Sequence, residues 1–245
     1  MKRPMAWAYG ITTVPQRRKV FAETKIFLQN AGFDNPRLFI DGQTPEHGNY
    51  LDYVVNDRTF RYPKLGAYGN WLLALWELFI REPAADRYAL FQDDISMCLG
   101  VRQYLERCPY PEQGYLNLCT YPVNAELVEN SHGNSPGWYL SNQKGKGAQA
   151  LVFSREAVRT LLGQPTVVSH PLGTPHRKDR NIDGVVIKSF RKVGWQEYIH
   201  YPGLVNHIGA GLLTTARSQP QPPTLCYAGN AFNAMDFLCK TVSQN

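Results

Sequence analysis

The chain has 245 residues and lacks any apolar run of the roughly 20 residues that span a bilayer as a helix. The longest candidate, WLLALWELFI (71–80), is interrupted by Glu77 and flanked by Asn70 and Arg81. The opening MKRPMAWAYGITTV starts basic but has no long apolar core and no small-residue cleavage site. It is read as a first strand, not a signal peptide. Paired cysteines are lacking too. The five, Cys98, Cys108, Cys119, Cys226 and Cys239, are odd in number and never in C-x-x-C spacing. That argues against a zinc knuckle and a disulfide framework, and for a reducing intracellular setting. Repeats and clear linkers are absent, which leaves one α/β domain as the expectation. With 43% hydrophobic and 19% charged residues, the composition excludes wholesale disorder.

What is present begins with charge. The formal net charge is +6, and it is unevenly placed. Residues 176–192 carry six Lys or Arg against Asp179 and Asp183, and the stretch to Lys19 holds five bases and no acid. Basic patches attract polyanions, although a solvated basic face is the commoner outcome.

Apolar residues 6–11 followed by Thr12-Thr13-Val14-Pro15 read as a strand, with Thr13 as the N-cap of a helix that Gly32 ends. Residues 37–40 are a second strand closing a β-α-β unit, which implies parallel pairing. A short strand at 53–55 is expected next, and then a helix over 66–81 that is apolar nearly all round and so buried. Tyr88–Gln92 has no polar alternation, as in a central strand covered on both faces. A helix is expected at 101–107, then strands at 115–120 and 148–153. Ser154 caps a helix to Leu162, and a last helix at 182–192 leads to a strand at 195–200. The Pro-rich tail after Thr215 reads as a surface wrap.

Four features fall where an open α/β sheet binds ligands, beyond the carboxyl ends of its strands. They are Thr12 to Arg18 after the first strand, Asp41 after the second, Lys64-Leu65-Gly66 before the buried helix, and Asp93-Asp94 after the central strand. A helix N-terminus with adjacent arginines suits phosphate. In an extended segment Asp93 and Asp94 point to opposite faces, so one can hold a metal while the other contacts a sugar. Hard carboxylate oxygens suit Mg²⁺ or Mn²⁺. The pair is equally readable as turn residues.

Taken in order, the motifs resemble a family. ITTVPQRR (11–18), QDD (92–94), GAQALVFSREA (147–157) and PGLVNHIG (202–209) are similar to the opening nucleotide turn, the DxD-like motif, the donor and acceptor strand-helix segment and the late His-x-Gly stretch of GT-A-fold, metal-dependent nucleotide-sugar glycosyltransferases. The resemblance implies a mixed, mostly parallel sheet flanked by helices. It divides the chain into a nucleotide-binding half (1–120), an acceptor-side half (121–215) and a C-terminal wrap (216–245). It implies a UDP-sugar donor with Mn²⁺ or Mg²⁺. Asp94 and His207 would be metal ligands, and Asp93 would contact ribose or sugar. Thr12, Thr13, Val14, Arg17 and Lys64 would lie by the base and diphosphate, and Asp41 by the uridine. Asp183 would be the base that deprotonates the acceptor hydroxyl in an inverting transfer. With no apolar span or signal segment and a basic late stretch, the expected acceptor is a hydroxymethylated base in DNA or a glycan, and the expected setting the cytoplasm of a bacterial or phage-infected cell; a non-catalytic nucleic-acid or nucleotide-binding module on the same scaffold and a metal-dependent nucleotide-sugar hydrolase are the alternative readings. The chain departs from the pattern at Gln92, where the family often has a carboxylate, and at Gly184, which gives Asp183 no acidic neighbour.

Overall fold

The apolar and β-branched opening stretch forms β1 (Trp7–Thr13), and Pro15, which has no N–H to donate, opens a short 3-10 turn over Pro15–Arg17. The computed structural model describes residues 3–42, 57–170, 182–208 and 226–237. α1 (Arg18–Asn30) follows the turn and buries Val20, Phe21, Thr24 and Leu28. The N-cap expected at Thr13 is therefore corrected. Thr13 is the last residue of the strand, the helix starts only at Arg18, and the Thr13 hydroxyl is bonded to Asp93. Past α1 the chain reverses at Gly32, whose φ of +93° an L side chain rarely adopts.

β2 (Arg37–Asp41) pairs parallel to β1, closing the expected β-α-β unit. The strand expected at 53–55 lies outside the described residues. β3 (Arg58–Arg61) pairs parallel to β2 instead. α2 (Gly66–Arg81) then leads to β4 (Arg87–Gln92), which pairs parallel to β1 on its other side. β4 is covered on both faces, as its composition implied. Ala89 and Phe91 join one apolar core, and Tyr88 and Leu90 join the other. α2 departs from expectation. Trp71, Ala74, Leu75 and Leu78 are buried, but Trp76 is 43% and Ile80 60% exposed. It is covered where it packs on β1, β2 and β4 and, among the helices, on those formed later at 155–162 and 182–191, and it is open elsewhere.

The second half contributes β5 (Ile95–Met97), α3 (Val101–Arg107), β6 (Gly114–Asn117), α4 (Pro122–His132), β7 (Gly137–Leu140), β8 (Ala150–Ser154), α5 (Arg155–Leu162), α6 (Pro165–Val168), α7 (Ile182–Arg191), β9 (Gln196–Tyr201) and β10 (Val205–His207). The helix at α5 begins as its sequence dictates, with the Ser154 hydroxyl accepting the Ala157 N–H at 3.0 Å.

The main sheet has eight strands in the order β3-β2-β1-β4-β8-β6-β9-β7. β1 to β4 pair in parallel, as do β6 and β9. β8 runs antiparallel between β4 and β6, and β7 runs antiparallel at the edge. The protein is thus of the α/β class, with a mixed, mostly parallel central sheet flanked by helices. β5 and β10 form a separate two-stranded ribbon. Residues 226–237 return to the core, where Ala234 is fully buried and Asn233 bridges to Leu99. No described helix is long and apolar enough to cross a membrane.

Candidate functional site

Parallel pairing of β2, β1 and β4 brings their carboxyl ends to one edge of the sheet. Thr12 lies opposite Gln92 and Phe39, and Thr13 opposite Ile40. Beyond this edge is a cavity of about 310 Å³ lined by Thr12, Thr13, Val14, Arg17, Asp41, Lys64 and Asp93, and also by Ala67, Asn70, Gln92 and Ile182. Seven of the residues singled out from sequence thus share one cavity.

Asp93 and Asp94 occupy the bend between β4 and β5 and are 2% and 3% exposed. They do not diverge to opposite faces, as an extended segment would require. The bend turns both carboxylates toward Arg17, whose Nη1 lies 3.2 Å from Asp93 Oδ1 and whose Nη2 bonds Asp94 Oδ2. The Thr13 hydroxyl donates to Asp93 Oδ2. Behind the bend, the fully buried Thr24 hydroxyl of α1 accepts the Ile95 N–H at 3.1 Å and lies 2.9 Å from the Asp93 carbonyl. Nothing in the sequence marks Thr24 as a site residue, yet it fixes the bend that carries both aspartates.

His207 arrives by a separate route. β10 pairs antiparallel with β5, setting His207 opposite Ile95, and the Ile208 N–H donates to the Asp94 carbonyl at 2.8 Å. His207 Nε2 then lies 2.7 Å from Asp94 Oδ2. Residues 113 positions apart in sequence are joined by a three-residue ribbon.

The two carboxyls differ electrostatically. Burial pushes Asp93 up to about 6, against the pull of Arg17 and the Thr13 bond, and the neighbouring Asp94 charge adds to the rise. Burial also acts on Asp94, but the His207 bond and the Arg17 charge outweigh it and hold that carboxyl below its ordinary value. The Cys119 thiol, buried and facing the Asp94 charge, is pushed up to about 12 and is no nucleophile.

Three buried polar atoms in this cluster have no hydrogen-bond partner among the described residues: Asp94 Oδ1, His207 Nδ1 and Arg17 Nε. Orphans of this kind are rare in folded proteins and costly. Asp94 offers a hard carboxylate oxygen that suits Mn²⁺ or Mg²⁺, and His207 an imidazole nitrogen, a donor that Mg²⁺ disfavours. No group of three or more His, Cys, Asp or Glu suited to a metal occurs among the described residues.

Asp41 and Asp183 are more engaged than their sequence reading implied. Asp41 accepts the Leu65 and Gly66 N–H groups, both at 2.8 Å, and so holds the N-terminus of α2 while lining the cavity. Asp183, in the first turn of α7, accepts the Gly147 and Gly184 N–H groups at 2.9 Å each. It is not a lining residue, although its neighbour Ile182 is. Asn70 was missed by sequence. Its amide donates to the Phe39 carbonyl at 3.0 Å, and nothing in its helical context marked it as part of the cavity wall. A second cavity, of about 510 Å³, lies toward the other end of α7, bordered by Lys188, Arg191 and Lys192. Among the described residues that line it there are no carboxylates and no strand ends.

No protein-family model matches the sequence, and no curated protein does. Solved structures give distant likenesses. One is a nucleotidyl transferase from Methanothermobacter thermautotroptrophicus, at 13% identity and a TM-score of 0.49 over 79% of this chain and 85% of that one. Another is a proposed glucose-1-phosphate thymidylyltransferase from Bacillus anthracis with sucrose bound, at 12% identity and a TM-score of 0.47 over 83% and 90%. Likenesses this distant carry no argument about chemistry.

Proposed function

We propose that the protein is a metal-dependent glycosyltransferase that moves a sugar from a UDP-sugar to a hydroxyl acceptor, with inversion. One observation carries the reading. Thr12, Thr13, Val14, Arg17, Asp41, Lys64 and Asp93, drawn from four separate stretches of chain, line a single cavity at the strand ends, and Asp94 and His207 meet beside it. The ordered resemblance of the motifs to GT-A enzymes supports it independently.

The roles follow from position and chemistry. Thr12, Thr13 and Val14 lie at the base and the start of the diphosphate. Arg17 and Lys64 supply positive charge to its oxygens. Asp41 meets the uridine with the lone pairs left over from α2, and Asp93 meets the ribose or sugar. Mn²⁺ or Mg²⁺ held by Asp94 and His207 would stabilise the charge that builds on the leaving diphosphate. Asp183 takes the acceptor proton as the hydroxyl attacks the anomeric carbon. Its two backbone bonds fix the carboxylate and leave lone pairs free. The cations at the far end of α7 favour a polyanionic acceptor, a hydroxymethylated base in DNA, over a neutral glycan.

The test is release of UDP from a panel of UDP-sugars with Mn²⁺ present. It is run with no acceptor, with duplex DNA containing 5-hydroxymethylcytosine, and with a panel of oligosaccharides. Faster release with one acceptor, plus a mass shift of one sugar on it, supports the reading and identifies the acceptor class. Release that ignores acceptor assigns a hydrolase. No consumption of any UDP-sugar refutes both.

A further inference from the structure

Arg17 stands where a cation is expected. Its guanidinium spans Asp93 and Asp94, and it is the cation paired with both of them among the described residues. Two carboxylates buried side by side repel each other and need a positive partner to stay ionised. Arg17 supplies it incompletely, since Asp94 Oδ1 and the guanidinium Nε are both left buried without a partner. A permanent structural ion pair would satisfy these atoms. The arginine is also placed to move. It ends the 3-10 turn, lines the cavity and keeps 15% of its side chain exposed, whereas the aspartates it bridges are held by Thr13, Thr24 and His207. A guanidinium matches diphosphate oxygens in a two-pronged bond as well as it matches carboxylates.

We infer that Arg17 is a displaceable counter-ion. It neutralises Asp93 and Asp94 before a divalent cation binds. It is exchanged for that cation at Asp94 and passes to the diphosphate, so metal and nucleotide bind as a coupled pair. The inference rests on the reading of this cavity as a metal and nucleoside diphosphate site. It adds that the protein's own arginine competes with the metal, which makes metal binding without nucleotide weak.

The exchange predicts a change of sign between two measurements on the same variant. Binding of Mn²⁺ alone is followed by the electron paramagnetic resonance signal of the free ion, for wild type, Arg17→Ala, Arg17→Lys and Asp94→Asn, each first checked for a cooperative melt. Arg17→Ala binds Mn²⁺ alone about tenfold more tightly than wild type, because the competing cation is gone. The same variant binds UDP in the presence of Mn²⁺ about tenfold more weakly, because the diphosphate has lost a charged donor. Arg17→Lys, whose ammonium cannot span two carboxylates, binds Mn²⁺ alone with intermediate strength, and it decides the matter should the alanine variant not fold. Equal or weaker Mn²⁺ binding in these variants overturns the exchange. If wild type and Asp94→Asn bind Mn²⁺ equally in the presence of UDP, the metal reading itself fails, and the exchange with it.

Discussion

Asp41 separates a structural role from a binding role, and the structure sets the size of the first. Its two oxygens accept the Leu65 and Gly66 N–H groups at 2.8 Å, and the residue is 2% exposed. Hydrogen bonds to a charged group contribute about 1.5–3 kcal/mol each, and a carboxylate at a helix N-terminus adds about 0.3–1 kcal/mol. Asp41→Ala leaves both N–H groups without a partner, and water entering from the cavity offsets part of the cost. The expected loss is about 3 kcal/mol. For a chain of this length that corresponds to a fall in Tm of roughly 6–12 °C. Asp41→Asn keeps one acceptor oxygen and loses the charge, so it should lose about half as much. Urea unfolding at pH 7 measures both, with the slope against urea unchanged if only stability moves. A loss under about 0.5 kcal/mol in Asp41→Ala, the size of an ordinary surface change, would show that these two bonds do not hold the helix. The start of α2 would then be held by something else.

Three further outcomes are expected. His200 is fully buried, with Nε2 accepting from the Tyr104 hydroxyl at 2.8 Å and Nδ1 donating to the Pro202 carbonyl at 2.7 Å; burial holds it down at about 4. Its folded value lies below its unfolded one, so its contribution is intact above about pH 6.5 and is lost as pH falls toward 4. Wild type should lose about 2 kcal/mol more than His200→Gln between pH 7 and pH 5 in urea titrations, and parallel pH profiles would exclude the assignment. Ser154→Ala removes the cap of α5 and should cost about 1 kcal/mol in the same assay, whereas Ser154→Asp should restore most of it. At Gly147 φ is +82°, and a Cβ would sit 2.4 Å from the Tyr121 ring. Gly147→Ala should therefore cost about 3 kcal/mol and loosen the loop that holds Asp183, and a melt unchanged from wild type would show that the loop yields freely.

The N-terminal half was largely legible because its signals are physical and local. The break at Pro15, the continuous apolar run of β4 and the apolar helix 66–81 each have one reading as neighbours in a parallel unit. Ser154 marked its helix start because a hydroxyl at that position satisfies a free N–H. What failed depended on contacts between distant segments. The antiparallel direction of β8 cannot be read from ALVFS, which is equally apolar in either direction. α4 is polar along most of its length, and β5, β10 and α6 are too short to show a period. The site divides in the same way. Thr12, Thr13, Arg17 and Asp93 were visible as strand-end residues, and their shared cavity follows from parallel pairing. The convergence of Asp93 and Asp94 on Arg17 was not visible, because it needs the bend that Thr24 fixes. The hold of Asp41 on α2 was not visible either, because its partners lie 24 and 25 residues further on.

If the function proposed above is right, this cavity binds a nucleoside diphosphate through a metal held at Asp94. Isothermal titration of UDP into wild type and Asp94→Asn, with Mn²⁺ present and then with chelator, tests it most directly. Saturable binding to wild type at one site is expected, with a loss of at least about tenfold in affinity on chelation and a similar loss in Asp94→Asn. Absence of UDP binding to wild type with Mn²⁺, or equal affinity in wild type and Asp94→Asn, would contradict it.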